Sequence, residues 1–511
     1  MELNTVQESV AACEVVYDSF VEQPIECDIL LPDYCPDILK ILTCSATPVF
    51  TLVQANGAQL AVDGHALLSV TYLSDTGSIR CSEHKVPFSR TIELKCAPES
   101  PVISYHAAVD YMNCRAVSPR RADVRGALTI QLKVLSQKKE SVVTDAQGEG
   151  IQLLRQTAPV TQVVGCASRQ YTLREDLQIE DSEPGVRHIV RCSCRAQVTD
   201  YKAIANKVIA KGELKVSFLY SGYENERDLH IARFTLPISQ IVDVDGVDEN
   251  CRCDVHMHVV SCELIPRSDE LGEGRTVALE AVFCAVVKAY RQMDTAWVSD
   301  CYCTQYESSF TTRAVSSLSL LDILNTTQDT SESLKLPQQV TDVTDVWCRA
   351  GFTEAKTEEE GLVLYGKLTV CMLAVDTDAS PLYCEQALEI RHVCASYEAE
   401  QLITDIQMEA GDCTFVRSGE DSVEIKTQVY LSGSICGVRR RQAVDTIELD
   451  DSKGRKPQSQ AAITIYFADE GEAMWEIAKR YNTSMAAVME ENGLEGANVP
   501  QRSMLLIPIV P

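Results

Sequence analysis

The most regular feature of the chain is an alternation of apolar and polar positions that begins near a glycine. It reads Asp63-Gly64-His65-Ala66-Leu67-Leu68-Ser69-Val70-Thr71-Tyr72. It returns as Lys211-Gly212-Glu213-Leu214-Lys215-Val216-Ser217-Phe218-Leu219-Tyr220, and again as Tyr365-Gly366-Lys367-Leu368-Thr369-Val370-Cys371-Met372-Leu373. The glycines at 64, 212 and 366 set spacings of 148 and 154 residues. A period of two is that of a half-buried strand, whose successive side chains point to opposite faces. A second stretch keeps the spacing. Pro36, Ile38, Ile41 and Leu42 match Pro184, Val186, Ile189 and Val190, and only Val340 and Val343 remain of it in a third copy. A third stretch, Val124 to Val134, aligns with Val277 to Val287 at +153 and with Val423 to Gly433 at a further +146. Three features in one order at near-constant spacing predict a triplicated unit of about 140 residues. Each unit reads as short strands joined by polar turns, hence an antiparallel sandwich or two-layer sheet.

Polar stretches mark the boundaries. Ser136 to Gly150 is expected to close the first unit as a linker, and Asp450 to Gln460, with no apolar residue, to be a flexible tether. After it the period changes. Ile463 to Phe467 reads as a strand, Gly471 as a turn, and Met474, Ile477, Ala478 and Tyr481 form one face of a helix. Thr483 or Ser484 caps a second helix that holds Val488 and stops at Gly493, and Met504 to Ile507 reads as a closing strand. The predicted class is mainly β: three tandem β-rich, sandwich-like repeats and a small α/β module of strand-helix-helix-strand order. The expected divisions are 1–150 for an N-terminal arm with the first repeat, 151–300, 301–449, a linker at 450–460, and the module at 461–511.

Composition narrows the function. The chain has 511 residues, with 46 basic against 74 acidic side chains and a net charge of −28. That sign argues against nucleic acid, whose binders present basic patches, and against an electrostatic membrane anchor. Met1 to Phe20 contains acidic residues and no basic one, so no secretory signal is read there, and no run of about 18 apolar residues suggests a spanning helix. The expected address is the cytosol of the cell that makes it. The 22 cysteines are then read as small buried hydrophobes rather than a disulfide framework.

No phosphate loop, nucleophile elbow or His-Glu-x-x-His motif occurs. The one cluster with metal-ligating residue types is Cys251, Cys253, His256, His258 and Cys262. On a regular strand Cys251 and Cys253 face one way and His256, His258 and Cys262 the other, which separates the ligands. No metal and no cofactor is expected.

The C-terminal segment resembles a LysM module, through Tyr466, Gly471, Met474-Trp475-Glu476-Ile477-Ala478, Tyr481, Asn492-Gly493-Leu494 and Leu506-Ile507-Pro508. The stretch from Leu31-Pro32-Asp33-Tyr34-Cys35-Pro36-Asp37-Ile38 to Leu42, with Ser118-Pro119-Arg120-Arg121 and Val124-Arg125, resembles the SPOCS repeat of spore-coat proteins. Three such repeats and one LysM module look like the SipL-type coat morphogenetic proteins of clostridia. The resemblance implies a non-enzymatic scaffold in the mother-cell cytoplasm, at the forespore surface and in the spore coat. It implies docking through the LysM module on the coat-basement ATPase, the stage IV sporulation protein A, with other coat proteins as further partners. Family LysM modules usually carry Gly-Asp-Thr-Leu in the first loop, where this chain has Gly471-Glu472-Ala473-Met474. The change disfavours a glycan and favours a protein ligand. The alternative is a cell-wall protein that holds peptidoglycan through the same module; an enzyme would have only the Cys/His cluster behind it.

The partner-binding residues expected on the module are Trp475, Ile463, Met474, Glu472 and Leu494. Trp475 sits one position off the apolar stripe. It is either a wedge in the module's core or a partly exposed anchor, since Trp is over-represented in interface hot spots. The cytosolic reading makes one direct prediction. In freshly made protein kept from oxidation, thiol titration under denaturing, non-reducing conditions should find close to all 22 cysteines free. A large shortfall would contradict it.

Overall fold

The structure is a computed structural model and describes residues 3–267, 274–336, 338–419, 421–454 and 463–508. The first repeat comprises β1 (Asn4–Leu30), β2 (Ile38–Asn56), β3 (Gln59–Ser74), β4 (Ile79–Glu93), β5 (Val102–Ser118) and β6 (Arg121–Gln147). The second comprises β7 (Ile151–Gln178), β8 (Val186–Ile204), β9 (Lys207–Gly222), β10 (Leu229–Asp243), β11 (Arg252–Arg267) and β12 (Thr276–Cys303). The third comprises β13 (Tyr306–Lys335), β14 (Val340–Glu358), β15 (Gly361–Asp376), β16 (Pro381–Val393), β17 (Gln401–Arg417) and β18 (Ser422–Gly454). Every repeat has one topology. Its second, third and fourth strands form one antiparallel three-stranded sheet, and its first, last and fifth strands form another with the last strand central.

The alternation read from the sequence is what joins the two sheets. Leu60, Val62, Ala66, Leu68, Val70 and Tyr72 of β3 are buried against Val124, Leu128, Ile130, Leu132 and Val134 of β6. The same central strands fill the cores of the other two repeats. Where β9 and β15 are buried on both faces, the second face meets a neighbouring repeat: Leu219 and Leu373 pack with Val190 and Ile79.

The closing strand fixes the repeat offset more closely than the sequence alignment did. Arg121 pairs with Leu30, Thr276 with Gln178 and Ser422 with Lys335, which sets the last strands 155 and 146 residues apart. The expected +153 is two residues short. An even slip leaves every side chain on its own face, which is why the pattern matched all the same.

The polar stretch Ser136 to Gly150 is not a linker. Through Gln147 it is strand, the far half of β6, paired with β1 from Asn4 to Glu14. Its polar side chains decorate a ribbon whose Val142 and Val143 are buried. The same extension occurs in each repeat, and a register shift marks where it leaves the sandwich: at Val15/Tyr17, opposite Ala289/Tyr290, and at Leu320/Asp322. Beyond these shifts the first and last strands run on as a two-stranded arm. The connections between repeats fall between β6 and β7 and between β12 and β13. Strand β18 continues to Gly454, so Asp450–Gly454 of the expected tether are strand and 455–460 lie outside the described residues.

The three arms pack on one another in successive layers, each drawing on all three repeats. Cys13 and Leu135 meet Val163 and Tyr290, and also Leu318, Leu320 and Cys436. Next, Val10 and Val142 meet Trp297, Val315 and Ala443. Farther out, Val143 meets Val298, Cys301 and Val444. At the base of the arms lies a polar node. Lys288 on β12 is ion-paired with Asp405 on β17, which also accepts from Ser104 Oγ (2.9 Å) and lies 2.9 Å from His106 Nε2, both on β5. Burial raises the carboxyl of Asp405, but the Lys288 ammonium and His106 outweigh it and hold the group well below the usual range.

Asp405→Asn would leave the buried Lys288 cation without its counter-charge, a change that costs about 3–5 kcal/mol. The urea midpoint of the full chain should fall accordingly, and Lys288→Met with Asp405→Leu should recover most of the loss. A single-variant cost below about 1 kcal/mol, the range of a surface pair, would show that the node does not hold the repeats together.

Candidate functional site

The C-terminal module folds in the predicted order: β19 (Ile463–Ala468), α1 (Met474–Arg480), α2 (Met485–Asn492) and β20 (Ser503–Pro508), with β19 antiparallel to β20. The local signals act as read. Ser484 caps α2 by accepting from the Ala487 N–H (3.1 Å), and Gly493 ends it in the left-handed region at φ 61°. Thr483 is buried and donates to the Pro508 carbonyl (2.7 Å). Ala473 precedes α1 without a side-chain cap.

The expected partner residues do not form one open face. Met474 is fully buried in the module's core. Leu494 is half-buried against that core. Both oxygens of Glu472 lie within 3.1 Å of the Tyr466 hydroxyl, which receives a further hydrogen bond from Arg480 Nη1 (2.9 Å). Ile463 pairs with Pro508 at the start of β19, and its side chain lies outside the described residues.

Trp475 is 6% exposed and packs in the module's core cluster, so of its two readings the structure has the buried one. What covers it is the chain's own arms. Its Nε1 donates to Asp300 Oδ2 (2.7 Å), and its ring meets Tyr302 edge-on with centroids 4.9 Å apart. Lys479, one turn on, bonds both oxygens of Asp300 at 2.7 Å and lies over the Phe310 ring. Tyr302 donates to the Thr483 carbonyl (2.7 Å). The off-stripe position thus places Trp475 in a contact beyond the module's core, with β12.

An open apolar surface lies elsewhere on the module. Ile465, Phe467 and Met504 are 56%, 72% and 53% exposed, and Phe467 stands directly opposite Met504 across the β19–β20 pair. Sequence reasoning passed over these residues, although the signal was present. In Ile463-Thr464-Ile465-Tyr466-Phe467 the wholly apolar side chains share one parity, and in the structure that parity is the exposed one at Ile465 and Phe467.

The signature stretches of the repeats have a different use. Arg120 donates to the carbonyls of Leu31, Pro32 and Cys35 and to Asp37 Oδ1 (2.9 Å), and Tyr72 donates to the Pro36 carbonyl (3.3 Å). At the equivalent place Arg275 donates to the carbonyls of Glu180 and Glu183, and Tyr220 to that of Pro184 (3.1 Å). These residues clamp the loop that crosses from one sheet to the other. In the third repeat the tyrosine position is Ala374 and the arginine position Asp421, and Arg417 instead donates to the carbonyls of Val340 and Thr341.

The Cys/His cluster is arranged otherwise than a regular strand predicts. A bulge between Val259 and Ser261 in β11 inverts the facing of the residues beyond it. Cys262 therefore shares the core face with Cys253, away from His256 and His258. Among the described residues no group of three or more His, Cys, Asp or Glu side chains is placed to hold a metal ion, and no helix is long and apolar enough to cross a membrane.

Burial, and then the neighbouring His256, push His258 down to about 4. A histidine that binds its proton more weakly folded than unfolded contributes stability above its ordinary pKa, near 6.5. That contribution is lost as the pH falls from there towards 4. The loss is at most about 3 kcal/mol. The urea midpoint of the full chain should drop across that window, and the drop should be smaller in His258→Gln; equal drops would show that His258 is not the group responsible.

Comparison with curated proteins gave no match, and comparison with solved structures gave none. A family model described as SipL, SPOCS domain matches residues 37–117 and 185–265. The two matched stretches run from the clamped loop through the fifth strand, β2–β5 and β8–β11, and start 148 residues apart. Those two stretches are thus similar to the SipL SPOCS domain, and the likeness suggests a protein related to sporulation and the spore coat.

Proposed function

We propose that the chain is a non-enzymatic scaffold of spore-coat assembly, working in the mother cell at the forespore surface. In this reading its LysM-like module docks on the coat-basement ATPase, the stage IV sporulation protein A, and the repeats carry further coat material, so that the forespore becomes encased. The observation that carries the docking is the open apolar face of Ile465, Phe467 and Met504. Trp475, Lys479 and Asp300 then have a mechanical part. They seat the module on the arms, so that load on the docking face reaches the repeats through a contact involving both a charge pair and a buried ring.

The test measures binding of the full chain to the purified ATPase. Phe467→Ser with Met504→Ser should weaken it by about 30- to 1000-fold, the span of an interfacial hot spot of about 2–4 kcal/mol. The melting temperature should hold, because both side chains are already exposed. Trp475→Ala should instead lower module stability by about 3–5 kcal/mol. Undiminished binding in the double variant, with loss in a Trp475→Ala chain that stays folded, would move the docking face to α1. Strong binding to peptidoglycan fragments with none to the ATPase would overturn the reading.

A further inference from the structure

Each repeat holds one pair of cysteines that face one another across its two sheets. Cys44 on β2 meets Cys114 on β5, Cys192 on β8 meets Cys262 on β11, and Cys348 on β14 meets Cys413 on β17. The sulfurs of Cys192 and Cys262 are 3.6 Å apart. In the other two pairs each thiol perturbs the ionisation of the one it faces. All six are half-buried, so a small reagent can reach them without unfolding the core. The pairing is not a chance of composition. In each fifth strand a register shift precedes the cysteine, between Val109 and Tyr111, Val259 and Ser261, and Ala410 and Cys413. A bulge re-aims the side chains beyond it. Three times it leaves a cysteine packed with its repeat's core, against a cysteine of the facing sheet.

We propose that these three pairs are redox sites that close to intra-repeat disulfides, each bolting the two sheets of one repeat together. The oxidant is a low-molecular-weight disulfide. One cysteine, as thiolate, attacks a sulfur of the reagent and releases one small thiol. The facing cysteine, losing its proton to solvent, attacks the protein sulfur of the mixed disulfide and releases the second. Two protein thiols are oxidised to one disulfide while the reagent is reduced to two thiols. Cys114 and Cys348 suit the attacking role, since the facing thiols of Cys44 and Cys413 favour their thiolates. In the second repeat Cys194, also on β8, contacts Cys262 as well. Each closed pair spans 65 to 70 residues of chain, a loop long enough for the cross-link to restrict the unfolded state strongly. The reduced chain is thus a foldable form, and the oxidised chain a locked one.

The test takes the full chain, purified reduced, and incubates it with oxidised glutathione at mildly alkaline pH. Free thiols under denaturing conditions should fall from 22 to 16. Non-reducing peptide maps should join Cys44 to Cys114, Cys348 to Cys413, and Cys262 to Cys192 or Cys194. The melting temperature should rise by roughly 5–15 °C over the reduced chain. Cys114→Ala should remove the first linkage alone and leave those of the other repeats in place. If the reagent is consumed mainly by the exposed Cys166, or the maps join cysteines of different repeats, or the oxidised chain melts no higher, the proposal fails; the wild-type map decides this even where a variant folds poorly.

Discussion

The architecture depends on one constraint: none of the three arms can bury its apolar side by itself. A two-stranded ribbon has two faces and no core, and isolated it is marginal in water. Here each arm lends one face to a common axis, so that Val10, Trp297, Val315 and Ala443, drawn from all three repeats, sit in one layer. Three copies close the set, which gives a physical reason for the chain to hold three repeats. It also explains why the third persists although its signature residues have eroded. Where the arms leave the sandwiches, Ser104, His106, Lys288 and Asp405 place one polar group or more from every repeat at one point. An apolar axis tolerates sliding, whereas a buried ion pair permits one alignment, so the node can set the stagger that the layers stabilise.

Much of this was legible as pattern, because the pattern is the packing. The alternation at 64, 212 and 366 names the central strand of each second sheet, and burial follows it side chain by side chain along β3. What escaped was whatever depends on a partner far along the chain. Ser136 to Gln147 reads as solvated because composition records side chains, while the backbone of that stretch pairs with β1 and only two of its valines face the axis. Bulges escaped because a single extra residue carries no compositional mark, and it was a bulge that turned Cys262 from the histidines to the core. In the module the caps and the apolar stripe were readable, since they act within one or two turns. The occupant of the Trp475 face was not, because Asp300 and Tyr302 lie about 175 residues earlier.

The module's seat gives the molecule a direction. It sits at the end of the arms, on Leu154, Tyr302 and Phe310, while the sandwich bodies lie at the other end of the same strands. Strands as long as β12, β13 and β18 are themselves the connection, so a contact made by the module reaches the repeat cores along continuous hydrogen-bonded backbone rather than through a loop. The small module and the three sandwiches thus stand at opposite ends of the same strands.

The signature residues fit that separation. Pro36, Tyr72 and Arg120, and Pro184, Tyr220 and Arg275 after them, spend their hydrogen bonds on the loop that passes from one sheet to the other. They make a repeat fold, and they do so with groups turned onto their own backbone. The third repeat shows that the task matters more than the residues: with Ala374 and Asp421 in their places, Arg417 reaches the carbonyls of Val340 and Thr341 from another strand and the six-stranded topology is unchanged. A signature devoted to folding has little left to contact a partner. The exposed pair Phe467 and Met504 lies on an element outside all three repeats, where the signature specifies nothing.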